Sequence, residues 1–329
     1  MTSMSRASIQ SLLSDSARGP CWLEQMLQWA IELEYSTIPP YLCGLWSIVD
    51  PQGAGNSVAS RLISVAMEEM VHAGMASNLL AAIGGKPHIA GSLPAYPARL
   101  PGGVRPGVIL RLTGLSMTAL HGLYMEVEYP EHGPLETFRG RLYHTIGEFY
   151  RAIDEEFQRL APALQVDRQI KYRRSSVKID PVETLCDVSR VIRTICEQGE
   201  GTSQSPNPSS GEEPAHYYRF GEIYHQREII ATASGWDYLG DPVPFPHVYP
   251  VVDVPCGGYD TQASLDFDAA YSGMLVALQR AWDDVDPDAI DEAADVMREM
   301  TVLGTALAST PLPEGGGNYC PSFRFNRET

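Results

Sequence analysis

One helical stripe constrains this chain more than anything else in it. Counted at 3/4 spacing it runs Leu62, Val65, Ala66, Glu69, His72, Ala73, Ala76, Leu79, Leu80, Ile83. Eight of the ten are apolar, so this is the buried face of an amphipathic helix. The other two are a carboxylate and an imidazole, in the middle of that face. An ionised carboxylate buried without a partner is costly, and it shifts its pKa until it is neutral. A metal ion removes that penalty, and Glu-x-x-His sets both ligands on one side of a helix. The spacing also arises by chance on solvated faces. The apolar stripe around Glu69 and His72 weighs against that reading and points to a metal site inside a helical bundle.

The preceding helix offers a matching ligand. Its apolar face reads Leu23, Leu27, Ala30, Ile31, Glu34, Ile38, Tyr41, Leu42, Leu45, and Glu34 again interrupts a stripe near its middle. Glu32 lies about 160° around the helix and is expected to face solvent. Pro39 and Pro40 follow about one turn after Glu34. Proline removes a backbone donor and crowds the preceding turn, so a kink or local unwinding is expected there.

The 329 residues are 44% hydrophobic and 20% charged, ample for a large core. A formal net charge of -17 argues against nucleic acid and anionic membrane as partners. No apolar run reaches the roughly 18 residues of a membrane helix. Residues 1–16 hold no apolar signal core, so a cytoplasmic location is expected. Six cysteines are scattered without Cys-x-x-Cys spacing, which argues against a disulfide framework. Cys43, Cys186 and Cys196 fall in helical text and read as small core residues.

Periodicity predicts helices over 22–49, 57–83, 115–131, 142–160, 182–198, 215–233, 264–284 and 287–308. The stretch 88–107 is rich in Pro and Gly and reads as extended loop. Residues 199–214 form a Gly/Ser/Pro loop that could serve as a lid. The fold class is all-α. An N-terminal extension over 1–19 precedes a metal-binding bundle over 20–240, and a loop and helix pair over 241–329 packs on it.

The second half of the site is less tidy. A di-metal carboxylate bundle takes a Glu from each of two helices and Glu-x-x-His from each of the other two. Glu222 and His225 repeat the spacing but lie beside their apolar stripe. Pattern alone prefers that pair, with Glu128, Glu148, Glu200 and His216 as further candidates.

Here the residues carry a resemblance. The segments Leu33-Glu34-Tyr35-Ser36-Thr37-Ile38-Pro39-Pro40-Tyr41-Leu42, Glu68-Glu69-Met70-Val71-His72 and Asn78-Leu79-Leu80-Ala81-Ala82-Ile83-Gly84-Gly85 resemble the bacterial ferritin-like family. Within it they are similar to relatives of the iminophenyl-pyruvate dimer synthases of violacein and rebeccamycin biosynthesis. Val127-Glu128-Tyr129-Pro130-Glu131, Thr145-Ile146-Gly147-Glu148-Phe149-Tyr150, Gln198-Gly199-Glu200-Gly201, His216-Tyr217-Tyr218-Arg219-Phe220 and Pro321-Ser322-Phe323 extend the likeness over about residues 20 to 325. The resemblance implies a ferritin-like four-helix bundle with long loops and additional C-terminal helices. It implies metal ligation by Glu34, Glu69 and His72, and for the second half by Glu148, Glu200 and His216. Those synthases are much longer chains with an additional region, so their reaction does not carry over with the fold.

Carboxylate and imidazole ligands in a dry bundle suit two iron ions, with manganese as the other candidate. The expected function is a non-haem metal-dependent oxidase or oxygenase. Its expected partners are dioxygen and a small amine, amino-acid-derived or aromatic substrate of bacterial natural-product biosynthesis, and a homodimer is a compatible assembly. The alternatives are metal-assisted coupling of imino or keto acids without dioxygen, with Arg168, Lys171, Arg173, Arg174 and Lys178 as a candidate carboxylate anchor, or a non-enzymatic metal-binding protein.

Overall fold

The computed structural model describes residues 18–130, 145–175, 177–209, 211 and 213–326. Helices α1 (Pro20–Trp46) and α2 (Asn56–Ala82) form a long antiparallel pair. The turn between them is fixed by Asp50, whose carboxylate accepts the Gly53 and Ala54 amides at 3.0 and 3.1 Å. Gly84 ends α2 in the left-handed region, φ 87°, where a side chain would be strained.

Helix α1 is the hub. Every residue from Leu33 to Tyr41 is buried, prolines included. Its N-terminal half follows the expected stripe, but beyond Leu33 it is covered on all sides. The expected unwinding at Pro39–Pro40 does not occur, and the helix runs unbroken. Proline at position 40 leaves the Ser36 carbonyl without its helical donor. The Tyr96 hydroxyl donates to that oxygen at 2.8 Å. One turn on, the Tyr124 hydroxyl donates to the Pro40 carbonyl at 2.8 Å. A side chain at Gly44 would overlap that hydroxyl, so glycine is what admits it.

The third arm, α3, has three consecutive segments: Met117–Ala119, a π-helical Leu120–Tyr124, and Met125–Val127. The Glu131 end of the predicted helix, and residues 142–144 of the next, lie outside the described residues. Helix α4 (Ile146–Leu160) and helix α5 (Leu185–Glu200) complete the bundle. Both start with reciprocal caps, Thr145 with Glu148 and Thr184 with Asp187. Helix α6 (His216–His225) packs on α3, α2 and α5. The prediction carried this helix to residue 233. It stops at His225 because Gln226 turns left-handed, φ 57°, and Ile230–Thr232 pairs with Gly235–Asp237 as a hairpin.

Two further hairpins pair Ala98–Arg99 with Ile109–Leu110 and Tyr172–Arg174 with Val177–Ile179. The second is tied to α2 by buried Asn78, which gives its amide to the Ile170 carbonyl (2.7 Å) and takes the Ile170 amide (2.8 Å). Helices α7 (Gln262–Asp284) and α8 (Asp288–Ser309) form a second antiparallel pair against α1. Gly304 of α8 lies directly on the Trp46 ring, and Phe323 of the tail stacks on that ring at 5.9 Å between centroids. Asp268 anchors that tail, accepting from Ser322 Oγ (3.0 Å) and Arg324 Nε (2.7 Å).

The all-α bundle with a C-terminal helix pair is therefore what the chain forms. No helix among the described residues is long and apolar enough to cross a membrane. Cys43 is buried and Cys196 half-buried, but Cys186 is exposed rather than a core residue.

Candidate metal centre

Five buried side chains from four helical segments converge between α1, α2, α3 and α6. Glu34 comes from α1, Glu69 and His72 from α2, Glu128 from the residue that closes α3, and His216 from the first residue of α6. None is more than 4% exposed. They form two overlapping clusters, Glu34–Glu69–His72 and Glu69–Glu128–His216, each with its donor atoms within 4.8 Å of one another. Glu69 is common to both and divides its oxygens. Oε2 faces His72 Nδ1 at 3.7 Å, and Oε1 faces His216 Nδ1 at 2.7 Å. His72 Nδ1 is also 3.7 Å from Glu34 Oε2, and His216 Nδ1 is 3.6 Å from Glu128 Oε2.

Both imidazoles are oriented from behind. His72 Nε2 meets Gln198 Oε1 at 2.7 Å, and His216 Nε2 meets Glu68 Oε2 at 2.9 Å. Arg219 holds Glu68 in turn, through Nη2 at 2.6 Å. With each Nε2 so engaged, each Nδ1 is turned to the carboxylates. Each outer carboxylate receives a tyrosine hydroxyl. Tyr41 donates to Glu128 at 2.5 Å, and Tyr150 donates to Glu34 in a very short contact.

The electrostatics describe a site with more acid than it can ionise. Burial and the neighbouring Glu69 charge push the Glu34 carboxyl well above its ordinary range. Burial and the same charge raise Glu128, against hydrogen bonds from His216 and Tyr41. Glu69 goes the other way: burial opposes its ionisation, but the His216 charge and hydrogen bonds from both histidines outweigh it. Burial likewise opposes the His216 cation, yet Glu69, Glu128 and Glu68 together hold its pKa well above the usual histidine value. The site favours ionisation of Glu69 and disfavours it at Glu34 and Glu128, as expected for coupled groups at this spacing.

The donor set fits a pair of cations. His216 Nδ1 is fully buried and has no aligned hydrogen-bond partner, although Glu69 Oε1 is only 2.7 Å away. When the Nε2 proton is given to Glu68 and the ring is neutral, Nδ1 carries the lone pair facing Glu69 and Glu128, and a cation in place of the Nδ1 proton would satisfy all three groups. A shared carboxylate, two outer carboxylates and one imidazole per cluster form the ligand pattern of di-metal carboxylate bundles, short of one glutamate.

Of the residues expected from sequence, Glu34, Glu69, His72 and His216 are brought together, and Glu148 and Glu200 are not among them. Glu148 closes the cap of α4, with Oε2 accepting the Thr145 amide at 3.1 Å. Glu200 accepts the Gly147 amide at 2.6 Å across the α4–α5 junction. Glu128, a further candidate from the sequence, is the carboxylate that stands with Glu69 and His216. Its signal was present: Leu120, Leu123, Tyr124 and Val127 are buried at 3/4 spacing, and Glu128 interrupts that stripe as Glu34 and Glu69 interrupt theirs. The alternative pair Glu222 and His225 serves elsewhere. Glu222 is bound to Arg61 Nε at 2.7 Å, and His225 is exposed and stacked on Tyr238.

Comparison with known proteins agrees with this architecture. A family model described as ferritin-like matches residues 27–225, which holds all five converging side chains. The crystal structure of a ferritin-like protein from Caulobacter vibrioides superposes with a TM-score of 0.65, covering 92% of this chain and 97% of that one at 23% identity. No curated protein matches. The model spans more than half of the chain and includes the helices that carry Glu34, Glu69, His72 and His216, so the chain belongs to the ferritin-like family.

Proposed function

We propose that this protein binds two iron ions, with manganese as the alternative, and acts as a non-haem oxidase or oxygenase on a small amine, amino-acid-derived or aromatic substrate. The observation that carries the reading is the division of Glu69 between two histidine–carboxylate clusters. Glu34 and His72 would hold one ion, Glu128 and His216 the other, with Glu69 between them. Hard carboxylate oxygens with one imidazole each suit divalent iron or manganese better than copper or zinc thiolate sites. When bound, such a pair supplies reduction of dioxygen and an oxidising equivalent for substrate. The chain's own residues fix the ligands, exclude water and keep protons close at hand. Tyr41 and Tyr150 hold the outer carboxylates, and Gln198 and Glu68 hold the imidazoles. A role in bacterial natural-product biosynthesis, in the cytoplasm, rests on the segment-by-segment resemblance to relatives of the dimer synthases.

The three arginines of the basic run are already engaged, which weakens them as a carboxylate anchor for coupling of imino or keto acids. Arg173 pairs with Asp180 (2.7 Å) and Arg174 with Asp291 (2.8 Å), while Arg168 donates to the Gly84 carbonyl (3.0 Å). Elemental analysis of protein purified without added metal, beside His72→Ala and His216→Ala, tests the reading. Two irons per chain, with loss in both variants, is the expected result. No transition metal in wild type after anaerobic Fe(II) loading overturns it. Oxygen uptake by the Fe(II)-loaded protein then separates oxidase from coupling chemistry.

A further inference from the structure

The two halves of the centre present the same kinds of donor, although Glu69 lies closer to His216 Nδ1 (2.7 Å) than to His72 Nδ1 (3.7 Å). Each has its own outer carboxylate, each outer carboxylate takes a tyrosine hydroxyl, each imidazole presents Nδ1, and Glu69 is shared. They differ one bond further out. Behind His72 stands a neutral amide, Gln198, and behind His216 stands a carboxylate, Glu68.

We propose that this difference makes the two positions unequal: the one formed by Glu69, Glu128 and His216 fills first, and Glu68 and Gln198 are the positioning residues that set the order. The inference rests on the di-metal reading above. A carboxylate accepting the Nε2 proton raises the basicity of the opposite nitrogen more than an amide oxygen does. Such partners change metal affinity by about 10- to 100-fold. Arg219 tempers the effect without reversing it. It fixes Glu68 through Nη2 (2.6 Å) and is itself fixed by Ser64 (2.8 Å), so the carboxylate is shared between a cation and the imidazole. The result is expected near the lower end of that range. One ion held tightly and one held loosely would leave the Glu34–His72 side as the exchangeable position, on the α1 and α5 side of the centre.

The test is a Mn(II) titration of the chelator-treated full chain, with free ion followed by electron paramagnetic resonance. Wild type is expected to show two steps about 10-fold apart or more. His216→Ala removes the tighter step and His72→Ala the weaker one. Glu68→Gln weakens the tighter step by about 10-fold and leaves the weaker one in place. Gln198→Glu, which needs no loss of the Glu68–Arg219 pair, tightens the weaker step. Two equal steps in wild type, or a Glu68→Gln change that falls equally on both, overturn the inequality and leave the metal centre standing. No Mn(II) or Fe(II) bound by folded wild type overturns the centre itself.

Discussion

Chelator-treated protein should lose stability as the pH rises from 7 to 8, and bound metal should abolish the loss. The native state holds the Glu34 proton and the His216 proton more tightly than the unfolded chain does. Stability therefore falls with rising pH between each group's ordinary value, 4.5 for Glu34 and 6.5 for His216, and its raised native value. Within its window each group contributes a slope of about 1.4 kcal/mol per pH unit. Above pH 6.5 the His216 window contributes about 1.4 kcal/mol per unit, and the raised Glu34 and Glu128 act in the same direction within their own windows. The competing groups fall silent there. Glu68 and Glu69 are lowered, so their stabilising charge is lost only below the ordinary carboxylate range. Glu32, raised by burial to about 6, has completed its change, and His225, lowered by burial, acts only below 6.5. Urea unfolding at three pH values with EDTA, repeated with saturating Mn(II), measures the slope. An ion in place of the protons removes the dependence, because the ligands are then ionised throughout. His216→Ala should reduce the chelated slope. A flat or rising stability in EDTA refutes the reasoning, as does an equal slope with and without metal.

Glu128→Gln should lose one ion per chain by elemental analysis. Glu148→Ala should keep both ions and cost about 1 kcal/mol in urea, the worth of a helix cap. Gly304→Ala should destabilise by about 1–3 kcal/mol despite the better helix former, because its methyl would overlap the Trp46 ring; an unchanged urea midpoint would contradict that packing. Tyr150→Phe removes a hydrogen bond that lowers the Glu34 pKa, so the pH-dependent loss in EDTA should extend to higher pH than in wild type.

Glu34, Glu69 and His72 were legible because each interrupts a long apolar stripe, and a buried stripe tolerates such residues only with partners. Glu128 obeyed the same rule at the end of α3, but the resemblance drew attention to Glu200. His216 could not be read from periodicity. It is the first residue of its helix, and a candidate ligand in that position has no preceding turn to define a face. Glu148 carried a different sequence signature, Thr145-x-x-Glu148, which is a cap. The partners Gln198 and Glu68 lie on the edges of α5 and α2, and only three-dimensional convergence reveals them. The helix break after His225 was missed because Ile229 and Ile230 suit strand and helix alike.

The prolines of α1 have a consequence for anyone who would cut this molecule down. A self-sufficient helix can be transplanted with its ligands. This one borrows its donors: Tyr96 comes from a loop and Tyr124 from a neighbouring arm, each serving a carbonyl within six residues of Glu34. The tail aromatic Phe323 braces the same helix from the far end of the chain. A minimal bundle stripped of loop and tail would keep every candidate ligand in its sequence and lose the scaffold that aims the first of them. Modularity, in this chain, ends at the backbone of one helix.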